Sequence, residues 1–161
     1  MKVRGLELPK ALQTVLLNGM WTSRGDDYSG KWHNDYDIKL FKKVFPRADD
    51  DLLPDLFSYE YMLRVNEFWD EPKNLVKLYL GKASKNYPPG NVDPNLTVII
   101  GESEYESPIA LDYRSSTPRV VYFCDVEYKI LWYKTSLYRS LWVEAAKDIE
   151  TLLSALELNS K

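Results

Sequence analysis

His33 is the only histidine, so a Ser-His-Asp site or a Cys-His site would have to use it. Asp35 and Asp37 follow it closely and could orient an imidazole ring. The surrounding residues mix polar, aromatic and glycine positions, which is typical of a loop. Because acid–base catalysis also requires a shaped pocket, we predict a surface or packing role for His33.

Carboxylates are plentiful, and a pair of them can supply the acid and the base of a hydrolase. Nothing in the sequence brings any chosen pair to the separation that this chemistry needs. Three successive aspartates at residues 49–51 lack the alternating ligands and the glycine of a calcium loop, so we interpret them as a solvated turn or helix start. Residues 102–107 hold Glu102, Glu104 and Glu106, and we predict an acidic turn there.

Cys124 is the only cysteine, and it follows the apolar residues 120–123. A buried cysteine behaves as a small hydrophobic residue, and no adjacent histidine or lysine favours its thiolate form. We therefore predict a structural role for Cys124. A single cysteine cannot form an internal disulfide, which fits a reducing cytosol.

The run Asp112-Tyr113-Arg114 would place Asp112 and Arg114 on the strand face opposite Tyr113. Arg114 could pair with a carboxylate or bind a partner. We favour a structural ion pair at the end of the strand, and partner binding stays open.

Charge and composition exclude several classes of function. The net charge is -3 and the pI is near 5.3, whereas a nucleic-acid binder usually carries a basic stripe. No spacing matches a phosphate-binding loop, a dinucleotide-binding loop or a Gly-x-Ser-x-Gly elbow. No signal-peptide core and no apolar run near the roughly 20 residues that cross a bilayer are present. We expect a cytoplasmic protein with no cofactor, no metal and no direct contact with nucleic acid or membrane.

Periodicity and turn residues predict the elements that would position these side chains. Helices are predicted over residues 9–17 and 58–69 and directly after Asp148, with Ser58 and Asp148 as N-terminal caps. A long loop is predicted over residues 81–95, and residues 38–57 remain undecided between strand, helix and loop. Strands are predicted over residues 75–80, 96–100, 109–113, 120–124, 127–134 and 141–143.

Short connections between these strands make neighbouring strands antiparallel. The predicted fold is therefore α+β, a single domain over residues 1–161. Its mainly antiparallel twisted sheet would have the N-terminal and C-terminal helices packed on it.

An ordered series of short segments carries a family resemblance. An early Leu8-Pro9 helix ends at Asn18-Gly19, and the series continues through residues 90–94, 98–102, 108–114 and 118–122. It includes an isoleucine-glycine strand end, a Leu-Asp strand and a Val-Tyr strand, and it closes on a Trp142 strand that enters the last helix. This series resembles the SUKH superfamily, which includes the fungal cell-wall-synthesis regulator and many bacterial immunity proteins.

The resemblance implies a binding role, since bacterial members commonly neutralise polymorphic toxins, often toxins with nuclease domains. We expect a protein partner, and we expect the chain to be a monomer or weak homodimer. Acidic groups could imitate phosphates toward a basic nuclease and speed association. The predicted contact residues are the aromatic and acidic side chains of three loops: Tyr28, Trp32, Asp35, Tyr36, Tyr87, Glu102, Glu104 and Glu106.

Two other functions stay open. The chain could be an intracellular regulator or scaffold of the same fold that uses these surfaces on a partner unrelated to toxins. An enzyme is the weakest hypothesis, because it needs His33 or a carboxylate pair in a deep cleft. We therefore predict that the protein is not an enzyme.

Overall fold

A computed structural model of the chain describes six stretches, namely residues 1–21, 38–45, 55–68, 92–104, 107–123 and 142–158. The strands within them are β1 (Lys2–Val3), β2 (Leu6–Glu7), β3 (Asp55–Leu56), β4 (Thr97–Glu104), β5 (Ser107–Asp112), β6 (Arg119–Phe123) and β7 (Trp142–Ala146). The helices are α1 (Lys10–Leu17), α2 (Ile38–Val44), α3 (Tyr59–Phe68) and α4 (Ile149–Ala155), with a short 3-10 helix at Pro94–Leu96. The predicted α+β class is confirmed.

The main sheet has the strand order β3-β4-β5-β6-β7, and every neighbouring pair is antiparallel. All six residues of β5 are buried, so both faces of the sheet are covered at its centre. The C-terminal helix α4 packs on β6 and β7 and also contacts α1 and α2, while α3 packs against β4. The sheet is therefore covered by several helices.

Helix α2 settles the first part, Ile38–Val44, of the segment over residues 38–57 whose secondary structure the sequence does not decide. Phe41 and Phe45 are both fully buried and lie one helical turn apart, with ring centroids separated by 4.4 Å. Phe45 also meets Tyr122 of β6 edge-on, at a centroid distance of 5.2 Å. Because two large aromatic side chains at this spacing reach the core only from one helical face, burial selects the helix.

The three predicted helices are confirmed, and each predicted end lies within one residue of the observed end. Leu12 and Val15 form the buried face of α1. The Ser58 hydroxyl accepts the Tyr61 N–H at 3.2 Å, as expected for an N-terminal cap. Asp148 caps α4 by accepting the Thr151 N–H at 2.8 Å. These side chains satisfy amide groups that have no partner within the helix.

A hairpin at the start of the chain was missed by the sequence analysis. Strands β1 and β2 pair in antiparallel fashion through a two-residue loop in which Arg4 (φ 52°) and Gly5 (φ 82°) are both left-handed. Two such residues form the turn that matches the twist of paired strands. The Arg4 guanidinium donates to the Pro94 and Thr97 carbonyl oxygens at 2.6 and 3.2 Å, which ties the hairpin to the start of β4.

Several predicted segments fall partly or wholly outside the described residues. The strands predicted over residues 75–80 and 127–134 lie outside them, as does most of the loop predicted over residues 81–95. The strand predicted over residues 141–143 is confirmed from Trp142, its first described residue, and extends to Ala146. Across the six described stretches, the helices are all too short or too polar to cross a membrane.

Candidate functional site

Only Glu102 and Glu104 among the predicted contact residues belong to the described part of the chain. Both lie on β4, so the predicted acidic turn over residues 102–107 is wrong for its first part. The ladder continues because Glu104 still pairs with Ser107 of β5, after a register shift that begins at Glu102. The remaining predicted contacts fall outside the described residues, together with His33 and Cys124: Tyr28, Trp32, Asp35, Tyr36, Tyr87 and Glu106.

The two glutamates and Asp55 of β3 lie at one end of the sheet, and we call these three residues the acidic end. Asp55 pairs with Glu102 across the β3–β4 ladder, and its side chain is buried while Glu102 is partly exposed. A Cβ atom on Gly101 would lie 2.5 Å from the Asp55 carbonyl oxygen. Glycine at this position is therefore what allows β3 to approach β4 and to place Asp55 opposite Glu102.

A buried side-chain amide completes the hydrogen bonding of β4 where β3 ends. Asn66 of α3 is fully buried. Its Oδ1 accepts the Ile99 N–H at 2.9 Å, and its Nδ2 donates to the Ile99 carbonyl oxygen at 2.8 Å and to the Met62 carbonyl oxygen at 2.8 Å. One amide thus pairs with both backbone groups of Ile99, as another strand residue would.

This amide sits beside an irregularity in the β4–β5 ladder. The register shifts between Ile99 and Gly101, so Ile100 is the extra residue of a β-bulge. The Ile100 carbonyl oxygen accepts the Phe57 N–H at 2.9 Å, and the Phe57 carbonyl oxygen accepts the indole N–H of buried Trp21 at 3.0 Å. The acidic end is therefore shaped by the backbone of β3 and β4 and by two buried polar side chains.

The opposite end of the sheet is organised around Asp112, the last residue of β5, whose side chain is fully buried. The carboxylate accepts the Arg114 backbone N–H at 3.1 Å, the Arg114 Nε at 3.0 Å and the Arg114 Nη2 at 2.8 Å. It also accepts the Arg119 Nε at 3.0 Å and the Arg119 Nη2 at 2.9 Å. One buried carboxylate therefore fixes two guanidinium groups, each by its Nε–Nη2 edge.

Glu144 of β7 lies at the outer edge of this group, and its Oε2 accepts Arg119 Nη1 at 3.3 Å. We call Asp112, Arg114, Arg119 and Glu144 the arginine end. The side chains of Arg114, Arg119 and Glu144 are 31%, 38% and 51% exposed. Because the Glu144 contact is long and exposed, it contributes only about 0–1 kcal/mol to stability.

The protonation state of Asp112 is set by two opposing effects. Burial by itself raises its pKa, but hydrogen bonds from the Arg114 side chain, the Arg114 backbone N–H and the Arg119 side chain together outweigh it. The pKa of Asp112 is therefore lowered, and the carboxylate stays ionised at neutral pH. The same hydrogen bond from Arg114 to Asp112 raises the pKa of Arg114.

Two hydrogen bonds of Tyr113 fix the start of the turn that carries Arg114. The Tyr113 N–H donates to the Leu96 carbonyl oxygen at 2.8 Å, and the Tyr113 hydroxyl donates to the Glu7 carbonyl oxygen at 2.9 Å. Burial, followed by the negative charge of Glu7, raises the pKa of Tyr113, so the hydroxyl remains a donor. Residues 114–117, which follow Tyr113 directly, are exposed. A rigid support therefore presents an exposed turn to solvent.

The structural ion pair that was predicted for Arg114 at the end of the strand is confirmed, and its partner is Asp112, at 2.8 Å. The alternation argument behind it is wrong, because β5 ends at Asp112 and Arg114 reaches back from the turn. Arg119 and Glu144 were missed. The contact of Arg119 with Asp112 could have been predicted from the register of the hairpin, because the first residue of β6 pairs directly with the last residue of β5.

The arginine end is suited to binding and not to proton transfer. The Asp112 carboxylate is occupied on both oxygens, and its lowered pKa makes it a weak base. The guanidinium groups of Arg114 and Arg119 do not lose protons in proteins. Within the described stretches, no group of three or more histidine, cysteine, aspartate or glutamate side chains could hold a metal ion. What this end offers is a fixed set of N–H donors for an anionic group.

No family model, no curated protein and no solved structure matches the chain.

Proposed function

We propose that this chain is a non-catalytic protein-binding domain that works in the cytoplasm as an immunity protein, by binding and neutralising a cognate polymorphic toxin. The observation that carries the binding role is the arginine end. Two partly exposed arginine side chains are fixed there by one fully buried carboxylate, beside an exposed turn. The toxin-directed role comes from the resemblance to the SUKH superfamily.

The construction of the turn supports recognition of a protein surface. The side chains of Arg114 and Arg119 lose most of their freedom in the free chain, because Asp112 already holds them. An arginine that is ordered before binding loses less conformational entropy when a partner arrives. Arginine is also enriched at the centres of protein–protein interfaces.

The acidic end supplies a second surface of the opposite sign. Glu102 is partly exposed, and Glu104 begins the connection to β5. Carboxylates at this end suit a basic toxin such as a nuclease, since complementary charge speeds association. A partner that contacts both ends would need basic and acidic groups separated by the length of β5, about 17 Å for five strand steps.

Co-expression tests the proposal. The chain would be produced together with the toxin encoded by a neighbouring gene, and growth and complex formation would be measured. Rescue of growth and co-purification of the two proteins is the expected result. A stable complex with another cellular protein, without rescue, would favour the regulator or scaffold instead. Absence of both rescue and any complex contradicts the binding role itself.

A further inference from the structure

We infer that Arg114 and Arg119 form a carboxylate-binding site for an acidic segment of the protein partner, and that Glu144 occupies part of this site in the free chain. The inference rests on the proposed binding function and adds to it the chemistry of the contact. It follows from the way the N–H donors of the two arginines are distributed.

Each guanidinium group carries five N–H donors in a planar fork. Asp112 uses the Nε and Nη2 edge of both arginines. Among the residues that the structure describes, Nη1 of Arg119 meets only Glu144, and Nη1 of Arg114 has no acceptor. The Nη1 groups of both arginines can therefore still donate to another acceptor. The two side chains are 31% and 38% exposed.

The position of Glu144 allows a carboxylate of the partner to replace it at Arg119 Nη1. Its contact with Arg119 measures 3.3 Å, whereas the contacts of Arg114 and Arg119 with Asp112 measure 2.8 and 2.9 Å. Charge-assisted hydrogen bonds of good geometry are about 2.7–2.9 Å long. Because Glu144 is 51% exposed, its carboxylate can return to water when another carboxylate takes its place. A partner carboxylate can shield this contact from water, which strengthens it.

A protein carboxylate fits this site better than a nucleic acid does. A phosphate backbone presents a continuous row of charges and needs an uninterrupted basic surface. The charge of Asp93 acts on Arg114, and that of Glu7 acts on neighbouring Tyr113, so acidic groups flank the pair. The chain as a whole carries a net charge of -3. A flexible acidic peptide can place one carboxylate between the arginines and keep its other charges away from these acidic groups, which avoids most of this repulsion.

A titration of the isolated, isotope-labelled protein with a blocked hexaglutamate peptide tests the site, in about 0.15 M salt so that long-range charge effects are screened. The Nε–H signals of Arg114 and Arg119 should shift and saturate. Arg114→Gln and Arg119→Gln should each weaken binding about tenfold, and Glu144→Gln should strengthen it about twofold to fivefold. Thermal unfolding checks that each variant is folded.

Two exposed residues away from the site provide matched controls. Lys43→Gln removes one positive charge on α2, and Glu67→Gln removes one negative charge on α3. Both should leave the affinity for the peptide unchanged. The inference is overturned if the arginine signals do not move, if Lys43→Gln weakens binding as much as Arg119→Gln, or if Glu67→Gln strengthens it as much as Glu144→Gln. Tighter binding of a hexathymidine oligonucleotide at the same arginines would also overturn it.

Failure of this inference and failure of the proposed function can be told apart. If co-expression yields a complex whose affinity is unchanged by Arg114→Gln and Arg119→Gln, the binding function stands and the carboxylate site is wrong. If the peptide binds as expected but no protein partner is found, the site stands and the immunity role is wrong.

Discussion

The two ends of the main sheet are built by different means. At the arginine end, charged side chains converge on one buried carboxylate at the end of the regular β5–β6 hairpin, and the one register shift lies in the neighbouring β6–β7 ladder of the described residues. At the acidic end, the backbone is irregular, with two register shifts in the β4–β5 ladder and a close approach of β3 to Gly101. The first end should therefore be sensitive to a change of charge, and the second to a change of volume or of hydrogen bonding.

The difference also separates the two candidate binding surfaces. Arg114 and Arg119 have fixed positions before any partner arrives, since Asp112 holds both. Glu102 is positioned by the strand that carries it, through its pairing with Asp55 and Pro108. A substitution that loosens β3 should alter the acidic end and leave the arginine end intact.

The largest effect is expected from Asp112→Asn. The amide keeps the size of the side chain but leaves two guanidinium groups without their shared counter-charge, and its Nδ2 faces other donors. The free energy of unfolding should fall by about 3–5 kcal/mol, because charge-assisted hydrogen bonds to two arginines weaken together and each such bond contributes about 1.5–3 kcal/mol. Urea denaturation at neutral pH measures this loss of stability. Glu102→Gln, at the partly exposed position of the acidic end, should lower the free energy of unfolding by less.

The difference in unfolding free energy between the native chain and Asp112→Asn should depend on pH if the charge of Asp112 causes it. The folded-state pKa of Asp112 lies below its ordinary value of 3.8, so the carboxylate contributes stability above that value. This contribution is lost as the pH falls through the folded-state pKa, because the unfolded chain binds the proton more readily. The gap in stability between the native chain and Asp112→Asn should therefore narrow below about pH 4. A gap that stays constant down to pH 2 contradicts an electrostatic origin.

The next largest effect is expected from Asn66→Ala on the β3 side of the sheet. The substitution leaves the buried N–H and carbonyl groups of Ile99 without the partner they have now. Each unsatisfied buried group costs about 1–3 kcal/mol, so we expect a loss of about 2–3 kcal/mol after relaxation. Glu67→Ala, at the exposed neighbouring position of α3, is the matched control and should change stability little. Equal losses in both variants would assign the effect to the helix and not to the amide.

Much of the arginine end follows from sequence. Asp112 ends an apolar strand, Arg114 is two residues away, and Arg119 begins the next strand after a short turn, so local spacing already brings them together. Glu144 could not be predicted in the same way. Its place depends on β7 pairing with β6 across a long separation in sequence, with a register shift between Val120 and Val121.

Little of the acidic end follows from sequence. Two-residue strands such as β3 have no periodicity, and a bulge reverses the alternation of side chains that strand prediction relies on. Asn66 reads as an ordinary polar position of an amphipathic helix, and only the tertiary contact with Ile99 reveals its role. The contrast follows from contact distance along the chain, since local pairs leave a pattern and long-range backbone contacts do not.

A smaller effect, confined to the acidic end, is expected from Gly101→Ala. The added methyl group would meet the Asp55 carbonyl oxygen, which belongs to the backbone and cannot rotate away. Displacement of β3 should cost about 1–3 kcal/mol, the usual range for overpacking. Hydrogen exchange should accelerate at the Phe57 N–H, which bonds to Ile100, and stay unchanged at the Tyr113 N–H near the arginine end. Equal acceleration at both amides would show that the two ends are not independent.

The smallest effect on stability is expected from Glu144→Gln, which removes the outermost charge of the arginine end. Because its contact with Arg119 is long and half-exposed, the free energy of unfolding should change by less than about 0.5 kcal/mol. Glu67→Gln on α3 is the matched control for the loss of one negative charge. A loss above about 1 kcal/mol for Glu144→Gln alone would make Glu144 a structural partner of Arg119. Glu144 would then not be free to exchange with a partner's carboxylate, and Arg119 would be held in place by both Asp112 and Glu144.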